Sequence, residues 1–374
     1  MSVLFQNYGR RAVHFVKGSG SYVWDDRGDR FLDFTSGIAV LALGHCHPKL
    51  VQTIQGQSEK LWHTSNLFTS TEQEQLAADL VEDTHLSHAF FCNSGTEANE
   101  AAIKLARKYT KKHKMITFNN SFHGRTFGAM SATGQEKVHS DFGPIVETFE
   151  YLPFNEPQIL QDAIDDETGA IMLEMIQGEG GVNTITGEFA EMIQSICDEK
   201  GILLIIDEVQ TGIARTGTKY AFEQTVLKPH IVTLAKGLGG GFPIGAMLGT
   251  AELFEAFGPG THGSTFGGNP LAVAVAQTVI DLTFNEAFLK NVNEKSAYFQ
   301  KQLALHLLKS DVKGWGLLLG ISVDQPLAQV VDACEKQGLL VVGAGATTLR
   351  LLPPLNVTNA EIDEAVTILA KVLN

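Results

Sequence analysis

Short apolar runs alternate with amphipathic stretches through the middle of this chain, and that alternation restricts the fold more than any other feature. Runs at 88–92, 115–118, 170–175, 201–206, 231–234 and 244–248 are short, apolar and bounded by breakers, so they read as strands. The stretches 97–111 and 188–200 carry helical periodicity. Strands that are apolar on both sides need helices on both faces, which predicts an α/β fold around a mainly parallel central sheet. In such sheets ligands sit beyond the carboxyl ends of the strands.

The pattern changes after about residue 271. Long helices are expected over 272–284 and 288–308, short strands near 317–323, 339–342 and 349–352, and a terminal helix from Thr358. Thr358 and Glu361 stand at capping-box spacing. Residues 20–34 read as a β-hairpin around Asp25-Asp26-Arg27-Gly28. The expected organisation is therefore an N-terminal segment (1–50) packing with a smaller α+β domain (271–374), and a large α/β domain (51–270) between them. A chain of 374 residues also exceeds what one core commonly serves.

A net charge of −14 argues against a nucleic-acid or anionic-membrane partner, since phosphate surfaces demand clustered cations. Small anionic substrates stay open, because a few buried arginines can set a local field. The basic run Arg107-Lys108 to Lys111-Lys112-His113-Lys114 reads as a helix end. Four cysteines, with no C-x-x-C pair, read as reduced thiols. The first residues lack the apolar core of a signal peptide, and no apolar stretch approaches the ~20 residues of a membrane span. A cytoplasmic protein is expected.

Gly201 to Ile206 is an apolar strand that ends in Asp207-Glu208. A carboxylate there is partly desolvated and needs a cation. A protonated pyridine nitrogen would supply one, and the carboxylate would keep that ring an electron sink. A loop cap or a metal ligand would give the same pattern. Lys236 closes another apolar strand before Gly237-Leu238-Gly239-Gly240-Gly241. Desolvation there would lower its pKa and free the amine to attack a carbonyl; a surface lysine is the plain alternative. The glycines fail G-x-G-x-x-G, because Phe242 holds the third glycine position. Ser94 and Glu97 have capping-box spacing, so the N–H groups of Gly95 and Thr96 open a helix and suit an anion. Phe122 could stack on a flat ring and Arg125 could fork onto a carboxylate. His45-Cys46-His47-Pro48 offers too few ligands, too tightly spaced, for zinc, and no metal is expected.

Together the segments resemble the class-III, fold-type-I aminotransferases nearly end to end. The carrying residues are Ser94 to Asn99, Phe122-His123-Gly124-Arg125, Gln177-Gly178-Glu179-Gly180-Gly181, Asp207 to Gly212, Lys236, and Gly263 to Pro270. The resemblance implies a fold-type-I transferase using pyridoxal 5′-phosphate, with Lys236 carrying the cofactor as a Schiff base and Asp207, beside Glu208, on the pyridine nitrogen. It implies that Val209 and Phe122 cover the two ring faces, that Gln210 contacts the phenolic oxygen, and that Gly95 and Thr96 bind phosphate. Thr265 would reach that phosphate from the other subunit of a homodimer with shared sites.

The same resemblance sets expectations for substrates, which are small molecules. The terminal amine of N2-acetylornithine would pass to 2-oxoglutarate. Arg125 and Ser264 would meet the acetylornithine end, and Arg350 the α-carboxylate of glutamate or 2-oxoglutarate. Glu179 would pair with Arg350 when no carboxylate is present. Ile38 stands where ornithine-using relatives place tyrosine, which favours an acylated donor but leaves 4-aminobutyrate open; ornithine and succinyldiaminopimelate are the other alternative donors, and a class-III aminomutase or decarboxylase the alternative reaction.

Overall fold

The computed structural model describes residues 3–307 and 311–374. The strands expected in the middle of the chain assemble into one sheet. An N-terminal meander, β1 (Phe15–Ser19), β2 (Tyr22–Asp25) and β3 (Arg30–Asp33), precedes β4 (His88–Cys92), β5 (Lys114–Phe118), β6 (Phe149–Leu152) and β7 (Thr168–Glu174). A small hairpin, β8 (Ile176–Gln177) and β9 (Asn183–Thr184), leads to β10 (Leu203–Asp207), β11 (Ile231–Leu234) and β12 (Gly245–Gly249). The seven-stranded sheet has the order β4-β12-β11-β10-β7-β5-β6, with β12 antiparallel to both neighbours and the other pairs parallel.

Period-two alternation along β10 shows why both faces are covered. Leu203 and Ile205 join a cluster with Ala101, Ala102 and Leu105 of the helix Gly95–Thr110. Leu204 and Ile206 join a second cluster with Phe189, Ile193 and Ile196 of the helix Gly187–Lys200. Both helices stop where the sequence changes: Lys111 and Gly201 each take the left-handed conformation, at φ 59° and 64°. The strand Phe149–Leu152 was not read from the sequence, because three of its four residues are only half-buried at the sheet edge.

The C-terminal part forms a four-stranded antiparallel sheet from β13 (Val312–Trp315), β14 (Leu318–Ser322), β16 (Val342–Ala344) and β17 (Thr348–Leu351), the strand β15 (Leu339–Leu340) having left for another sheet. β15 pairs in parallel with β3, so the single strand expected over 339–342 is two strands in different sheets. Residue spacing cannot choose between two partners when the chain crosses from one to the other. The helix expected over 288–308 is Glu286–His306; Leu308 lies outside the described residues. The terminal helix Asn359–Leu373 has the expected capping box from Thr358 and Glu361. Among the described residues, no single helix is long and apolar enough to cross a membrane.

Between β3 and the first helix, four consecutive residues take left-handed backbone angles: Ser36, Gly37, Ile38 and Ala39 have φ of 46°, 61°, 65° and 61°. A β-branched residue there is strained, and neighbouring bonds hold it. Asp33 Oδ1 accepts from the N–H groups of Thr35 (2.8 Å) and Ser36 (3.0 Å), and Ser36 Oγ donates to the Leu352 carbonyl at 2.7 Å.

Candidate active site

Three adjacent strands deliver polar residues to one level at the carboxyl edge of the sheet. Asp207 is in register with Glu174 on one side and Thr233 on the other. Asp207 is buried, and its carboxylate is held at both oxygens. Oδ1 accepts from Val209 N at 3.0 Å; Oδ2 accepts from His123 Nδ1 and from Asn99 Nδ2, both at 2.8 Å. Asn99 is fixed in turn by donating to the His123 carbonyl (2.7 Å) and accepting from Thr233 Oγ1 (2.7 Å). The carboxylate therefore cannot rotate away from the cavity above it.

That cavity measures about 410 Å³ and is lined by Lys236, Asp207, Glu174, Phe122, Val209 and Gln210 among others. Lys236 follows β11 at the start of a 3-10 turn, Lys236–Gly239, with φ at 42°. Gly240 and Gly241 also take positive φ, 54° and 120°, so the glycine run turns the chain back into β12 without steric cost. Burial pushes the Lys236 amine below its ordinary pKa and the Arg350 cation lowers it further, while Glu179, Asp207 and, when ionised, Glu174 oppose the shift. The arrangement provides an amine poised to attack a carbonyl.

Ser94 caps the helix Gly95–Thr110 by accepting from Glu97 N at 3.4 Å. The reciprocal half of the expected capping box is displaced: the Glu97 carboxylate accepts from the Asn93 backbone and, at 3.0 Å, from Asn93 Nδ2. Gly95 and Thr96 line the cavity, and the first N–H groups of any helix lack acceptors within it. A Cβ on Gly95 would lie 2.7 Å from Val209 Cγ1, so only glycine lets the helix start approach this wall. Arg125 is exposed, with its guanidinium 5.5 Å from the centre of the Phe122 ring.

Arg350, on β17, is 1% exposed and donates from Nη1 to Glu179 Oε1 at 2.6 Å and to Gln210 Oε1 at 2.9 Å. Its Nε is buried with no hydrogen-bond partner. The structure thus brings together Lys236, Asp207, Gly95, Thr96, Phe122, Arg125, Val209, Gln210 and Glu179 around one cavity, with Arg350 behind Glu179. Glu208 and Ser264 stand elsewhere, and Thr265, expected at the other subunit's site, lies outside this chain's cavity. Glu208 points away from the cavity, where its carboxylate accepts from Phe222 N (2.9 Å) and Thr211 Oγ1. Adjacent strand-end residues face opposite sides, so Asp207 and Glu208 cannot share a ligand. Ser264 accepts from Asn93 Nδ2 at 3.1 Å outside the lining, and Thr265 is exposed.

Sequence reasoning gave no role to His123, Asn99 or Glu174. The first two lie inside motifs already singled out, but nothing in the spacing says that Asp207 is their common partner. His45 pairs with Asp33 at 2.8 Å, and among the described residues no group of three His, Cys, Asp or Glu side chains could hold a metal ion.

The family model for Aminotransferase class-III matches residues 5–373. The chain is a class-III aminotransferase. An acetylornithine aminotransferase of Bacillus cereus is 50% identical over 376 residues, covering 100% of this chain and 97% of the relative. The solved N-acetylornithine aminotransferase of Stenotrophomonas maltophilia superposes with a TM-score of 0.85 at 37% identity, over 98% of this chain and 96% of that one. The ornithine aminotransferase of Toxoplasma gondii gives a TM-score of 0.94 at 33% identity, over 99% and 92%.

Proposed function

We propose that this class-III aminotransferase moves the terminal amine of N2-acetylornithine to 2-oxoglutarate, giving N-acetylglutamate 5-semialdehyde and glutamate, a step of arginine biosynthesis. The observation that carries the reading is a Lys236 amine lowered in pKa beside a fixed Asp207, in a cavity backed by the Glu179–Arg350 pair. The names of relatives at about 50% identity support the donor, as does Ile38 in place of a tyrosine.

The residues fit pyridoxal 5′-phosphate. The helix start at Gly95 and Thr96 suits a phosphate, Phe122 and Val209 offer walls for a flat ring, and Asp207 offers a charge for a ring nitrogen. When bound, that group supplies an aldehyde that condenses with amines and a ring that draws electrons from the bond being broken. Lys236 Nζ would hold that group, and once free would act as the general base that takes the proton from the donor's amine-bearing carbon. Asp207, kept from rotating by His123 and Asn99, would supply the negative charge that a ring nitrogen of that group needs. Arg350 receives the α-carboxylate of glutamate or 2-oxoglutarate once Glu179 leaves it. Arg125, on the cavity wall, meets the acetylornithine end, whereas Ser264, outside this chain's cavity, is not part of that contact within one chain.

We also infer a cytoplasmic homodimer in which Thr265 completes the partner's site; its exposure outside its own chain's cavity supports this, as do the exposed apolar residues Leu67, Phe68 and Phe266. Single-turnover spectra against N2-acetylornithine, ornithine, succinyldiaminopimelate and 4-aminobutyrate test the donor: the first should react fastest. Borohydride should fix the cofactor to the peptide carrying Lys236, and a label on another lysine would overturn the assignment.

A further inference from the structure

Glu174 ends β7 directly beside Asp207, which ends β10. Neighbouring strands lie about 4.8 Å apart, so two carboxyl groups share one level under the same cavity. Both are buried, and both hold the same loop. Asp207 accepts from His123 Nδ1, and Glu174 Oε1 accepts from the backbone N–H of Phe122 at 3.0 Å. The two carboxyl groups thus clamp consecutive residues of the segment that carries the aromatic wall. They differ in how fully they are used. Asp207 has three donors on its two oxygens, whereas Glu174 Oε2 is buried with no hydrogen-bond partner.

An ionised carboxylate with one bare oxygen, packed beside a second carboxylate, is a costly arrangement. A carboxylic acid costs less: its carbonyl oxygen accepts from Phe122 N–H, and the shielded, unpartnered Oε2 carries the proton instead of a charge. We propose that Glu174 is a positioning residue that works as the uncharged acid, fixing the Phe122 backbone, and with it the aromatic wall of the cavity, through Oε1. Burial and the neighbouring Asp207 charge both hold the Glu174 proton in place, with Glu179 acting in the same sense; Phe122 N–H and the Lys236 amine pull the other way. Keeping Glu174 neutral leaves Asp207 as the single charge at the strand ends. It also spares the Lys236 amine an additional anion that would raise its pKa.

The inference rests on pyridoxal 5′-phosphate being the occupant, and two variants separate the two ideas. Glu174→Gln preserves the acceptor for Phe122 N–H, with no charge in any state. The pH at which the visible band of the loaded enzyme changes should stay where it is in the wild type. Glu174→Ala removes the acceptor and should weaken pyridoxal 5′-phosphate binding about tenfold, read by titrating the stripped protein. Glutamine should restore what alanine loses. A band transition moved down by about one pH unit in Glu174→Gln would mean that an anion had been removed, and would overturn the proposal. Unchanged binding in Glu174→Ala would overturn it as well. If alanine prevents folding, the glutamine transition alone decides. A wild-type protein that binds no pyridoxal 5′-phosphate would instead overturn the cofactor reading, and the inference with it.

Discussion

Arg350 Nη1 lies 2.6 Å from Glu179 Oε1, and the guanidinium behind that contact is almost wholly buried. A buried cation needs its partner, yet the proposed glutamate half-reaction would use the same cation for a carboxylate. Glu179 is itself 31% exposed and has Gly178 and Gly180 on either side, so it can leave while Arg350 cannot. Glu179→Ala should therefore spare or improve the glutamate half-reaction. The acetylornithine half-reaction should slow by roughly tenfold, since Arg350 is left unpaired. Rapid-mixing spectra of each half-reaction check this, and equal loss in both would remove the switch.

Thr265 belongs to an exposed loop, and neither it nor Phe266 touches the cavity of its own chain. Thr265→Ala should weaken cofactor retention. Mixed with Lys236→Ala, it should recover part of the activity, because one hybrid site contains both native residues. Absence of complementation after verified subunit exchange would place each site within one chain.

Glu208 supplies a pH signature separate from catalysis. Burial pushes its carboxyl up to about 7 from the ordinary 4.5. A folded-state value above the unfolded one means the folded protein holds this proton more tightly. The contribution is full below about pH 4.5 and is lost as pH rises through about 7, a change on the order of 3 kcal/mol. Glu208→Gln cannot ionise and still accepts from Phe222 N. Its denaturant midpoint, compared with the wild type from pH 5 to 8, should lack that decline; parallel curves would show that Glu208 stays ionised.

Two glycines should respond to alanine with opposite signs. Gly37 sits at φ 61° with its nearest non-neighbour atom, Val40 Cβ, 3.7 Å from an added methyl, so Gly37→Ala meets strain and no clash. A loss of about 1–2 kcal/mol is expected. Gly56, inside the helix Pro48–Ser58, has open space around it, and Gly56→Ala should add about 0.5–1 kcal/mol. Urea denaturation of both variants measures this. A neutral Gly37→Ala would mean that the left-handed turn relaxes in solution.

Much of the site was legible because its chemistry is carried by strand ends. Asp207 and Lys236 each close an apolar run, and each arrives at the carboxyl edge of the sheet. The helix start at Gly95 was legible from Ser94 and Glu97, although Glu97 turned out to bond one residue further back, to Asn93. Glu208 shows where such reading stops. It is adjacent to Asp207 in sequence, but alternation along an extended chain sends its side chain to the other side, against Phe222 and Thr211.

Local sequence, by itself, determined six of the seven strands of the large sheet, the two helices beside its centre, and the strand-end positions of Lys236 and Asp207. Periodicity and capping act within a few residues, so one chain segment contains all they require. Only the tertiary structure decided that Glu174 and Asp207 share a level, that His123 and Asn99 converge on one carboxylate oxygen, and that 339–342 divides between two sheets. Those outcomes depend on strand order and on contacts between residues as much as 307 positions apart, as in the Leu32–Leu339 pairing. Such contacts form only when the sheet and the C-terminal strands pack, and no local pattern encodes them.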